Sequence, residues 1–281
     1  MGIMEPPSGT RAIKRYHARP KGHIFDEHAA VVLFYDVFGF NIPNPQIMAD
    51  AFADHLGISV FVPDYIRRCF GFLHRLPFSS TSIADPPSPD WADPVLESVP
   101  DEYANKRWIN TIRDYAYYIR KALPYAMSVQ PSRLTPPSLK AVQELKAEGY
   151  ERIGAIGLDS SSNKAKSVKA LTIDTSPTPI ICGVMCHPTP EPNWWDTITE
   201  PSLWLLASHD KHFTAGKIAQ LCRTFEPKQK KGIEFDHTIF PETTHGFASR
   251  PNLAHEPSRK AFEDVGQLST EFFKKHLLFG H

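Results

Sequence analysis

At 281 residues the chain has room for one large domain with a sizeable core, and its 41% hydrophobic and 22% charged residues are those of an ordinary globular protein. Lys plus Arg and Asp plus Glu balance at 31 each, which removes any global attraction to nucleic acid or to an anionic membrane and leaves a specific small molecule as the expected partner. No apolar run approaches about 18 residues, so no membrane span is expected. The opening Met1-Gly2-Ile3-Met4-Glu5-Pro6-Pro7 lacks a basic stretch leading into an apolar one, and a cytoplasmic protein, monomer or homodimer, is expected.

In chain order, residues 1–28 are polar and rich in Gly, Pro and basic side chains, and read as a surface wrap before the core begins. The continuous apolar run Ala29 to Tyr35 reads as a parallel strand covered on both faces, and Asp36 ends it. Ile47, Met48, Ala51, Phe52 and Leu56 then recur at helical spacing, Gly57 stops the helix, and Ser59 to Tyr65 forms the next strand. Between about 77 and 101 a Pro- and Ser-rich stretch reads as an irregular insertion, either a lid or a surface excursion. Helical patterns resume at Arg107 to Leu123 and at Pro137 to Glu148.

Further strands are expected at Glu151 to Leu158, Pro179 to Met185, Pro201 to Ser208 and Phe235 to Phe240, with helices near 214–225 and 257–277. This alternation predicts a doubly wound, mostly parallel α/β sheet in a single domain spanning 1–281. Cys182 and Cys186, four apart on an apolar strand, read as buried thiols. No cysteine spacing resembles a zinc motif and no Gly-rich phosphate loop is present, so neither a metal nor a cofactor is expected.

The chemistry is expected at the carboxyl ends of the strands, where open α/β sheets bind their ligands. Gly157-Leu158-Asp159-Ser160-Ser161 joins a strand to a helix start and has the shape of a nucleophile elbow with Asp159 at its apex. Asp210 and His245 follow at later strand ends, in the order elbow residue, acid, histidine. His187 and His209 also lie at strand ends, but one precedes a proline and the other sits beside the acid, and both read as supporting or structural residues.

Asp36-Val37-Phe38-Gly39-Phe40-Asn41, Val62-Pro63-Asp64-Tyr65, Ile153 to Asp159, Cys186-His187-Pro188 and Thr244-His245-Gly246-Phe247-Ala248 together resemble the dienelactone hydrolase family, in particular its fungal branch. The resemblance runs from about residue 24 to the C-terminus and is weakest over 77–145. It implies an α/β-hydrolase fold and a Cys–His–Asp site in which the acid falls on Asp210, the histidine on His245, and a further acidic residue on Asp36. The chain departs from the family at the centre, where Asp159 replaces the nucleophilic Cys and Ser161-Ser162 replace a Gly-Gly pair.

An aspartate suits different chemistry. A carboxylate attacking an ester carbonyl forms an anhydride and must expel a far more basic alkoxide, so the adduct reverts to substrate. Attack on a saturated carbon of an epoxide instead gives an ordinary alkyl ester, which a His-activated water cleaves. The residues therefore point to an epoxide-opening hydrolase for a small or medium organic substrate, with fungal secondary metabolism as its expected setting. Asp159 is the expected nucleophile, His245 the base and Asp210 its orienting partner, while the backbone N–H groups of Ser160 and Val37 hold the oxyanion. Tyr65 or a protonated Asp36 would protonate the departing oxygen. Trp194 and Trp195 are candidates for a halide cradle, a reading ranked below the epoxide. Other readings are a Ser160 nucleophile, an esterase or lactonase, a non-covalent acid/base isomerase or cyclase, and a pocket protein without activity.

Overall fold

A computed structural model describes residues 2–5, 13–36, 43–65, 131–158, 180–189 and 192–278, with only the backbone for 131–136 and 192–194. Its strands are β1 (Ile3–Glu5), β2 (Arg15–Ala18), β3 (Ala29–Phe34), β4 (Ser59–Pro63), β5 (Arg152–Leu158), β6 (Ile180–Cys186), β7 (Ser202–His209) and β8 (Phe235–Thr244). The α-helices among the described residues are α1 (Asn44–Leu56), α2 (Pro131–Ala147), α3 (Ala215–Gln229) and α4 (Glu256–Phe273). The expected insertion at 77–101 and helix at 107–123 lie outside the described residues.

The strands form one sheet of order β1-β2-β4-β3-β5-β6-β7-β8. From β4 to β8 every neighbouring pair is parallel, so all these strands deliver their carboxyl ends to the same edge. Helices cover both faces. Ala141 and Leu145 of α2 meet Val32 and Phe61 on one face, while on the other α1 and α4 touch through Phe52 and Phe273, whose rings lie 6.4 Å apart. Burial on both sides explains why β3 reads as an unbroken apolar run. Cys182 and Cys186 are buried free thiols, as their spacing implied, and burial pushes both pKa values up.

The sheet permits a close approach at β5, where a Cβ on Gly154 would sit 2.8 Å from the Phe273 ring and 3.0 Å from Leu277. A Gly154→Ala substitution is expected to destabilise the fold by about 1–3 kcal/mol through overpacking. The urea midpoint should fall with an unchanged m-value. An unaltered midpoint would mean that α4 stands off β5.

The N-terminal segment corrects the expectation of a polar wrap. β1 and β2 extend the sheet antiparallel to β4, and all residues of β2 are buried. A cationic side chain is tolerated there because it is matched: Arg15 pairs with Glu5 at 2.8 Å and with Glu148 at 2.6 Å, and its guanidinium lies 4.5 Å over the Phe61 ring. Composition alone counts Arg15 and His17 as polar and cannot reveal these partners.

Candidate active site

The edge formed by the strand carboxyl ends carries Asp36 after β3, Asp64 and Tyr65 after β4, His187 after β6, Asp210 after β7 and His245 after β8. Asp159 follows directly on Leu158, the last residue of β5, but Asp159, Ser160 and Val37 lie outside the described residues.

His245 and Asp210 come together. Nδ1 of His245 lies 2.8 Å from Oδ2 of Asp210, whose side chain is fully buried while that of His245 retains 22% of its exposure. The other carboxylate oxygen accepts the backbone N–H groups of His212 at 2.7 Å and Phe213 at 3.2 Å, a short turn that fixes the acid before it meets the imidazole. Burial pushes the Asp210 carboxyl up, yet the hydrogen bond and charge of His245, joined by the two backbone donors, outweigh it and hold the pKa below its ordinary value. An ionised Asp210 can only accept, so the neutral imidazole places its proton on Nδ1 and its lone pair on Nε2. That is the tautomer a general base needs.

Two further imidazoles bracket this ring. His187 meets His245 nearly edge to face, with centroids 5.3 Å apart and planes at 74°, and His212 meets it at 5.1 Å and 66°. His187 is fully buried and has φ of +38°, a left-handed conformation that costs a non-glycine residue about 1–2 kcal/mol. It also precedes Pro188, which disfavours helical backbone at that position. His209, by contrast, is exposed and pairs with its neighbour, Nδ1 standing 3.0 Å from Ser208 Oγ.

Past His245 the chain turns sharply at Gly246, where φ is +93° and an added Cβ would lie 2.8 Å from Arg250 Nη2. The turn brings Ser249 and Arg250 to the buried Asp36: Ser249 Oγ donates to Asp36 Oδ2 at 2.7 Å, and Arg250 Nε lies 3.5 Å from the same oxygen. Asn44, at the start of α1, donates to the Ser249 carbonyl at 2.7 Å and ties the turn to the helix. Sequence reading missed Ser249 and Arg250. No local signal pointed to them, because their partner Asp36 lies 213 residues away from Ser249 in sequence.

Tyr65 is fully buried, stacks on Tyr35 at 4.7 Å, and donates its hydroxyl to the Tyr35 carbonyl. A phenol has one proton, and here it is given to the Tyr35 carbonyl. Asp36, the other expected acid, accepts from Ser249 and faces a guanidinium, which are surroundings for an acceptor rather than a donor. Trp195 is fully buried, stacked on Phe213 at 5.7 Å and edge-on to Trp204 at 6.1 Å, so it fills a core cluster between β7 and α3 rather than a halide cradle. The side chain of Trp194 lies outside the described residues. Among the described residues no cluster of His, Cys, Asp or Glu is placed to hold a metal ion, and no helix is long and apolar enough to cross a membrane.

The sequence profile of the dienelactone hydrolase family matches residues 13–277. The chain belongs to the dienelactone hydrolase family. Its sheet order and helices are those of an α/β-hydrolase fold, and solved structures agree at low identity. A Klebsiella pneumoniae structure assigned to the dienelactone hydrolases aligns with a TM-score of 0.63 at 13% identity, covering 98% of each chain. An esterase of the planctomycete Thermogutta terrifontis, solved with propionate bound, aligns at 0.57 with 12% identity over 98% of this chain and 93% of that one. A dienelactone hydrolase-like promiscuous phosphotriesterase from metagenomic libraries aligns at 0.56 with 14% identity, over 98% of this chain and 97% of its own. No protein of curated function matches this sequence. Family membership makes the protein a hydrolase of the dienelactone hydrolase type.

Proposed function

We propose that this hydrolase opens an epoxide of a small or medium organic substrate through an ester formed on Asp159. The observation that supports it is the hydrogen-bonded His245–Asp210 pair at the sheet edge where β5 ends at Leu158, the residue before Asp159 in sequence. A carboxylate oxygen of Asp159 attacks an epoxide carbon, the ring C–O bond breaks, and the released alkoxide takes a proton from solvent water, a proton that Asp159 returns to solvent when its carboxyl ionises at the end of the cycle. His245 Nε2 then removes a proton from water, and the resulting hydroxide adds to the Asp159 ester carbonyl. Backbone N–H groups of Ser160 and Val37 hold the oxyanion, after which the C–O bond to substrate breaks and the alcohol leaves with the proton from His245. Asp210 stabilises the imidazolium between these steps.

A second reading is favoured by the engagement of the Tyr65 hydroxyl with the Tyr35 carbonyl, which occupies the proton of the first-ranked acid for an epoxide oxygen. In that reading the protein is an esterase or lactonase, as its family suggests. His245 activates water for direct attack on an ester carbonyl, and its imidazolium returns the proton to the leaving alcohol. Asp159 forms no bond.

Single turnover in heavy-oxygen water separates the two. The epoxide route puts label into the Asp159 carboxylate and none into the first diol released. Label found only in a product carboxylate, with an unlabelled Asp159 peptide, would sink the covalent route and leave the esterase.

A further inference from the structure

α1 and α4 lie side by side over one face of the sheet, and a groove of about 470 Å³ runs between them. The two helices point the same way, because Phe52 near the end of α1 meets Phe273 at the end of α4. The groove is apolar where Met48, Phe52 and Phe262 line it, and the small residues Ala51 and Gly266 stand near its middle. A Cβ on Gly266 would meet nothing within 4 Å, so the centre is open to a close approach. Ile47 lines the same groove and is 56% exposed. Contiguous apolar surface of this kind marks a place of docking.

The charges along the groove indicate the occupant. Glu263 and Lys274 both line it, about 16 Å apart at the rise of an α-helix, one toward each end. Neighbouring charges are matched within the chain, Lys260 with Asp264 at 3.3 Å and Lys275 with Glu234 at 2.6 Å. Among the described residues Glu263 and Lys274 have no ion-pair partner. A two-fold axis lying across the groove sets α4 antiparallel on α4 and α1 antiparallel on α1. Glu263 of each copy then faces Lys274 of the other, Glu271 faces Gly266, His55 faces Ile47 and Ala51 faces its own counterpart. No like charges of the groove are opposed.

We infer that this chain forms a two-fold homodimer through the groove between α1 and α4, with reciprocal Glu263–Lys274 pairs setting its register. Burial of the apolar lining supplies the affinity, and the charge pairs at the ends select the antiparallel arrangement.

Analytical ultracentrifugation of the whole chain at micromolar concentration tests this, and the wild type is expected at twice the mass of the chain. Glu263→Lys and Lys274→Glu each oppose like charges twice per dimer, and each is expected to weaken association by about 100-fold or more and to sediment as a monomer. Mixing the two variants restores opposite charges at both ends. The mixture is expected to dimerise again, with one copy of each variant per dimer by native mass spectrometry, which also shows that both variants are folded. A monomeric wild type overturns the inference and leaves the groove to a small apolar ligand or to a different protein. A dimer that either variant retains alone, or a mixture that stays monomeric, overturns it as well.

Discussion

Asp210→Asn is expected to lower kcat by about 10⁴-fold while the fold is retained. The substitution preserves shape, and the Asn Oδ1 can still accept the backbone N–H groups of His212 and Phe213, so the turn survives. The remaining amide nitrogen then faces His245 as a donor. His245 must present a lone pair on Nδ1 and carry its proton on Nε2, which is the wrong tautomer for taking a proton from water. Asp210→Ala serves as the contrast, because it also strips the turn of its acceptor and should cost about 1–3 kcal/mol in unfolding free energy. Both proposed reactions need His245 as base, so the loss is expected on an epoxide or an ester. A rate within tenfold of wild type for the Asn variant would remove the pair from the mechanism.

The same carboxylate sets an acid limit. Its pKa is held below the ordinary 3.8, so the folded state binds this proton less readily than the unfolded chain. Its contribution to stability is complete above 3.8 and is lost as pH falls through the lower folded value.

His245→Gln should stop turnover while leaving the first bond-forming step intact if the epoxide route operates. Attack by Asp159 needs no proton removed from the nucleophile, whereas cleavage of the ester needs an activated water. The variant is therefore expected to accumulate a stoichiometric adduct, with the Asp159 peptide heavier by the full mass of the epoxide. Mass spectrometry after mixing with styrene oxide reads this directly. The esterase route gives no such adduct with any ester, because there His245 acts before the first bond forms. Together with the oxygen-label experiment, this distinguishes a nucleophilic Asp159 from a spectator.

The sequence by itself determined the run of elements and the chemical character of the sheet edge. Apolar runs ending in Asp36, Asp210 and His245 located three strand ends, and helical spacing from Ile47 to Leu56 gave the crossover that makes β3 and β4 parallel. Periodicity reports which residues face inward, so these features were legible. Partners were not. Ser249 finds Asp36 across 213 residues, Arg15 finds Glu148 across 133, and the Tyr65 hydroxyl finds the Tyr35 carbonyl across 30. Such pairings depend on strand order and on the turn after Gly246, which no local pattern encodes. The left-handed backbone at His187 was equally hidden, because local preference before Pro188 points to extended chain. Among the described residues, Leu205 and Phe247 are long-range contacts that accompany the opposite choice.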